Sequence, residues 1–119
     1  MTETRTYTGG CHCGEVRFEV TAAVDRLYSC NCSICGKMGW LLTFVPAAQF
    51  TLLSGAERLT DYQFGKKVIH HPFCSRCGVR SFCRGTSPNG EATCGVNVRC
   101  LDGVEFDGIP VTQFDGRSL

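Results

Sequence analysis

Three tight clusters of cysteine constrain this chain more than any other feature. Cys11-His12-Cys13-Gly14 lies near the start, Cys30-Asn31-Cys32-Ser33-Ile34-Cys35-Gly36 follows, and Cys74-Ser75-Arg76-Cys77-Gly78 comes in the second half. Thiols at such spacing are drawn together either as disulfides or around a metal ion. Disulfide scaffolds belong to oxidising compartments. Residues 1–10 are polar and contain no apolar export segment. No apolar run approaches the roughly 18 residues that would span a membrane. A cytoplasmic, reducing location is therefore expected, and there clustered thiols favour metal. The three remaining cysteines, Cys83, Cys94 and Cys100, have no metal spacing to one another and read as small buried hydrophobes.

Zinc takes four ligands in a tetrahedron and binds thiolate sulfur at about 2.3 Å. Cys74 and Cys77, followed by Gly78, form a zinc knuckle that supplies two ligands. Cys11 and Cys13 supply a second pair, and two with two closes a four-thiolate site. Such a site ties an N-terminal loop to one far along the chain, the behaviour of a structural metal. Cys30, Cys32 and Cys35 then remain as three ligands with one exchangeable position, the pattern of a functional zinc site. A second partition stays compatible with the spacing, a three-plus-one site using His12, His70, His71 or another cysteine. The plainer expectation is that His12 points outward, and that His70 and His71 are a half-buried strand residue and its exposed neighbour.

The chain has 119 residues and a formal net charge of +1. That is the length of one domain, 1–119, with a globular composition and no basic excess for nucleic acid. Seven ligand thiolates offset by two zinc ions would turn the +1 into −2, further from a nucleic-acid binder. Fourteen glycines punctuate short apolar runs, which predicts a mainly β fold. Residues 15–20 alternate cleanly, with Val16, Phe18 and Val20 on one face. Residues 40–45 read as a buried strand closed by Pro46. Residues 50–53 and 59–63 read as a hairpin around Ser54-Gly55-Ala56. Residues 68–73, 79–84 and 93–98 are further strands, the last two joined by a turn at Pro88-Asn89-Gly90. Single helical turns are expected over 33–37 and 46–50. The tail from 102 onward is expected to lie over a sheet with little regular structure.

These motifs, with Gly9-Gly10 ahead of Cys11, Glu15-Val16-Arg17-Phe18 after it, Phe73 ahead of the knuckle and Asn97-Val98-Arg99-Cys100-Leu101-Asp102 near the end, resemble the glutathione-dependent formaldehyde-activating enzyme family. The same domain occurs in centromere protein V. The resemblance implies a β-tent fold of folded-over antiparallel sheets and two zinc ions per chain. It matches Cys11, Cys13, Cys74 and Cys77 to the structural zinc, and Cys30, Cys32 and Cys35 to the catalytic one. The activity it implies is addition of glutathione to formaldehyde, giving S-hydroxymethylglutathione, with a carbon–sulfur lyase reaction as the reverse.

Three functions compete on this reading. The first is a zinc-dependent carbon–sulfur lyase or thiol–aldehyde adduct enzyme, its partners a small thiol such as glutathione and an aldehyde. The second is a non-catalytic, zinc-stabilised binding module for a small thiol or a protein. The third is a zinc reservoir or redox switch, since an open three-thiolate site oxidises readily. A fourth protein ligand at the cysteine triple would favour the binding module, and an open position beside a cleft would favour the enzyme. Trp40, Phe44, Asn97 and Arg99 are candidate cleft walls. Lys37 is a candidate partner for a carboxylate of the thiol, its plainer role being a solvated surface lysine. Nothing in the sequence sets the oligomeric state.

Overall fold

A computed structural model describes residues 3–65, 67–87 and 89–118. Among these residues ten strands and one short α-helix follow in order: β1 Arg5–Gly10, β2 Arg17–Ala22, β3 Leu27–Cys30, α1 Ser33–Met38, β4 Leu42–Pro46, β5 Phe50–Ser54, β6 Leu59–Tyr62, β7 His71–Cys74, β8 Phe82–Thr86, β9 Ala92–Asn97 and β10 Val111–Phe114. They form a three-stranded sheet β1-β2-β5, a five-stranded sheet β10-β3-β4-β9-β8 and a two-stranded sheet β6-β7. The mainly β arrangement of antiparallel sheets read from the sequence is present. No helix among the described residues is long and apolar enough to cross a membrane.

The alternation in β2 explains how the first two sheets meet. Phe18, Val20 and Ala22 are buried while Glu19 is exposed. Their side chains pack against Phe50 of β5, Val45 of β4, Phe82 of β8, and Cys94 and Val96 of β9. Phe18, Phe50 and Phe82 form a ring cluster with centroid separations of 4.7 to 6.3 Å. Each fully buried phenylalanine contributes about 1.5–3 kcal/mol by removal from water, so this cluster helps hold the two sheets together.

Two expectations are corrected. The segments at 50–53 and 59–63 are strands, but they do not pair with each other. β5 pairs with β2, Phe18 opposite Leu52, and β6 pairs with β7, Leu59 opposite Cys74. The chain leaves β5 where the Ser54 hydroxyl donates to the Glu15 carbonyl (3.1 Å), and a 3-10 turn at Ala56–Arg58 redirects it. Leu59 is thereby delivered to the apolar packing around Cys11, Val16 and Cys74. The tail is also more regular than expected, because β10 adds to β3 in parallel, Val111 opposite Leu27 through Phe114 opposite Cys30. Of the expected turn at Pro88-Asn89-Gly90, Pro88 lies outside the described residues. The Gly90 amide donates to the Ser87 carbonyl (2.8 Å) between β8 and β9.

Candidate metal centres

The loop between β1 and β2 carries Cys11 and Cys13, and the loop after β7 carries Cys74 and Cys77. In the first loop the Cys11 amide donates to the Val16 carbonyl (3.0 Å), and the Val16 amide donates to the Cys11 sulfur (3.3 Å). In the second the Gly78 amide donates to the Cys74 carbonyl (2.7 Å), with Gly78 at φ +81°. That left-handed conformation is open to glycine without strain. Glu15 clamps the loops, its carboxylate meeting Arg58 at 3.2 Å and Arg76 at 3.5 Å.

The four sulfurs of Cys11, Cys13, Cys74 and Cys77 lie within 4.8 Å of one another. Four sulfurs bound at about 2.3 Å to one tetrahedral centre stand about 3.8 Å apart. Here Cys11 and Cys13 sulfurs are 3.5 Å apart, and Cys13 and Cys74 sulfurs 3.7 Å. A disulfide would bring them to about 2.05 Å, and all ten cysteines are free. The donor set therefore fits one zinc ion. The Cys77 amide, together with that of Arg76, holds the Cys74 thiol below its ordinary range against the effect of burial. At Cys77 burial opposes ionisation, but the amides of Val79 and Cys13 together with the Cys11 and Cys74 sulfurs outweigh it and the thiol is drawn down to about 6. Cys13 moves the other way. The Glu15 amide favours its thiolate, yet burial and the neighbouring sulfurs push it up to about 11.

The second group forms where β3 runs into α1. Cys32 is the N-cap, and the Gly36 amide donates back to its carbonyl (2.8 Å). Cys32 and Cys35, three residues apart, therefore share one face of the helical turn, and Gly39 ends it with its amide on the Cys35 carbonyl (2.9 Å). The sulfurs of Cys30, Cys32 and Cys35 lie within 4.8 Å of one another, and among the described residues no fourth histidine, cysteine or carboxylate joins them. Three thiols with no fourth ligand fit a zinc ion with an open coordination position. Burial pushes the Cys35 thiol up, although the Trp40 indole N–H donates to its sulfur at 3.2 Å. Burial likewise opposes ionisation of Cys32, but the Cys35 amide and the flanking thiols carry it below its ordinary value.

The C-terminal tail covers this group. Asn31, between the first two cysteines, donates through its amide nitrogen to Asp115 (2.9 Å) and accepts from the Arg117 amide (2.9 Å). Gly116 is held so close that a Cβ there would lie 2.6 Å from the Cys30 sulfur. Neither Asn31 nor Gly116 carries a motif. The only signal in the sequence was the position of Asn31 inside the cysteine cluster.

The other candidate residues separate cleanly. Trp40, Asn97 and Arg99 line one cavity of about 240 Å³, with Gly39 from the end of α1 and Gly78 and Arg80 from behind the knuckle. Arg80 was missed by sequence reasoning, although it follows the knuckle by three residues. Lys37 is exposed on α1 and Phe44 is exposed on β4 against Tyr28 (5.5 Å), and neither lines this cavity. His12 is exposed. The two histidines are the reverse of the expectation: His70 is exposed and pairs with Asp61 (2.6 Å), whereas His71 is buried because its ring stacks on Phe64 and faces the Tyr62 carbonyl. Cys83 and Cys94 are buried and Cys100 half-buried, and none of the three belongs to either sulfur group.

Comparison with known proteins bears on this geometry. The family model described as glutathione-dependent formaldehyde-activating enzyme matches residues 6–113. A Halomonas elongata protein, provisionally named a glutathione-dependent formaldehyde-activating enzyme, is 36% identical over 78 residues, covering 58% of this chain and 50% of the relative. The chain thus spans about half the length of that curated relative. A crystal structure of a Rhodobacter sphaeroides protein superposes with a TM-score of 0.77 at 33% identity, covering 88% of this chain and 99% of that one. The chain belongs to the glutathione-dependent formaldehyde-activating enzyme family.

Proposed function

We propose that residues 1–119 form a single zinc domain acting as a thiol–aldehyde adduct enzyme of the carbon–sulfur lyase class. Cys11, Cys13, Cys74 and Cys77 hold a structural zinc, and Cys30, Cys32 and Cys35 hold a second zinc whose fourth position takes a small thiol such as glutathione. The observation that carries the reading is the contrast between a group of four sulfurs and a group of three with no fourth ligand among the described residues. When bound there, zinc supplies a site that favours the thiolate form of an incoming thiol.

The residues of the chain do the rest. Three thiolates make the centre electron-rich, so it acidifies water poorly and suits sulfur chemistry. The Trp40 N–H spreads charge from Cys35. The tail at Gly116 shields Cys30 and leaves less of the group open to water. In the reaction the thiol gives up its proton, its sulfur pair forms the bond to the aldehyde carbon, and the carbonyl oxygen takes up a proton. The reverse breaks that carbon–sulfur bond.

Exchange spectroscopy with carbon-13 formaldehyde and glutathione tests the reading. The zinc-loaded protein should accelerate interconversion of formaldehyde and S-hydroxymethylglutathione, and Cys32→Ser should abolish the acceleration. An unaccelerated exchange with fully metallated protein would remove the enzymatic reading and leave the binding module.

A further inference from the structure

The segment after β10 is fastened to the cysteine triple through one residue, Asn31. Its backbone N–H donates to the Phe114 carbonyl (3.1 Å), its side-chain nitrogen donates to Asp115 (2.9 Å), and its side-chain oxygen accepts from the Arg117 amide (2.9 Å). The two side-chain bonds join residues 84 and 86 positions apart. A side-chain amide suits this place, because one end must donate while the other accepts. Asp115 takes the Ser118 hydroxyl on its second oxygen (2.6 Å), and these bonds, Ser118 first and Asn31 second, hold its carboxyl below the usual range. Gly116 lies between the two anchor points. A Cβ there would stand 2.6 Å from the Cys30 sulfur and 3.2 Å from the Cys32 Cβ, so its backbone rests directly on the ligand loop.

Neither partner supports itself. The helix α1 spans 6 residues, and its N-cap Cys32 makes no side-chain capping bond. A helix that short does not hold its shape in water unaided. The strand β10 is exposed or half-buried along its length, and its order comes from β3, whose last residue, Cys30, lies opposite Phe114. Exposed pairing of this kind opens locally long before the core does. Two marginal segments that order each other share one equilibrium, and the coupling between them is reciprocal.

We infer that Asn31 and Asp115 are positioning residues of the open centre, a latch through which docking of residues 114–118 and metal loading of the triple become one coupled equilibrium. The docked segment holds Cys30 and Cys32 in place for metal, and a loaded triple holds the segment down. This rests on the reading that Cys30, Cys32 and Cys35 take up zinc. It assigns to the tail an effect on the metal that neither residue exerts as a ligand.

Competition with a chromophoric chelator reads the affinity of the more weakly held of the two zinc ions, and amide hydrogen exchange by NMR reads the docking of residues 114–118. Asn31→Asp sets two carboxylates against each other and should weaken that zinc about tenfold. By reciprocity, withdrawing the zinc from the parent protein should speed exchange of the Arg117 amide by about the same factor. Adding Asp115→Asn to Asn31→Asp puts a donor opposite an acceptor again, and should restore most of the affinity and of the protection. Asp115→Ala should weaken the zinc in the same direction without adding charge beside the sulfurs. Retention of the four-thiolate zinc shows that each variant is folded. If the double variant binds zinc as weakly as Asn31→Asp, or if the Arg117 amide exchanges equally with and without the second zinc, the latch is refuted while the open centre stands. If the parent protein takes up only one zinc, the open centre fails and the latch with it.

Discussion

Removing Cys74 should cost far more stability than removing Cys32, because the two sulfur groups close loops of very different length. Cys13 and Cys74 are 61 residues apart. Cross-linking a loop of that size removes about 4 kcal/mol of chain entropy from the unfolded state. The triple closes only about five residues, and the logarithmic dependence on length makes the difference between the two loops about 2 kcal/mol. For a chain of this size, about 1 kcal/mol moves the melting temperature by about 4 °C. Cys74→Ser should therefore melt about 15 °C or more below the parent protein, and about 8 °C or more below Cys32→Ser. Complete burial of Cys74 adds to the gap, since the serine hydroxyl enters a site with 0% exposure. Scanning calorimetry on proteins purified with zinc, with metal content measured on the same samples, provides the comparison. If Cys32→Ser melted at or below Cys74→Ser, the assignment of the four-sulfur group as the structural centre would be refuted.

Three further outcomes follow from individual contacts. Gly116→Ala places a methyl against the Cys30 sulfur and should weaken zinc at the triple by about tenfold, the scale of second-shell effects, read by competition with a chromophoric chelator; unchanged affinity would show that the tail does not support the site. Phe18→Ala removes the centre of the ring cluster and should cost about 3–5 kcal/mol in urea unfolding, a loss below about 1 kcal/mol being contrary to the packing described. Burial holds the His71 pKa below its usual 6.5, so the unfolded chain takes up that proton first; its contribution is complete above 6.5 and is lost as pH falls through the lower folded value. The stability difference between the parent and His71→Asn should therefore shrink on acidification below 6.5, and a difference independent of pH would contradict a buried neutral imidazole.

What the sequence revealed follows from how local each signal is. The cysteine pairs and the triple were legible because their ligands sit two to five residues apart and the loops fold around them. β2 was legible because one face meets the phenylalanine cluster and the other meets water. β10 was not, because its residues are exposed or only half-buried and its order comes from backbone pairing with β3. The mispaired hairpin has a similar cause. Turn residues at Ser54-Gly55 suggested a local reversal, while the edge of β5 was already taken by β2 and Leu59 was drawn to the cysteine cluster. Trp40, Asn97 and Arg99 were recognised as possible cleft walls. Arg80 was not, since it lies in the irregular segment between β7 and β8 and its place depends on a hydrogen bond from Asn97 at the end of β9.

The central claim is that this fold carries one closed and one open zinc centre. X-ray absorption at the zinc edge, on protein of measured metal content, tests it most directly. The account predicts two zinc ions per chain with a mean of about 3.5 sulfur ligands per zinc, rising to about 4 when millimolar glutathione fills the open position. A single zinc per chain, or a sulfur count that glutathione leaves unchanged, would contradict it.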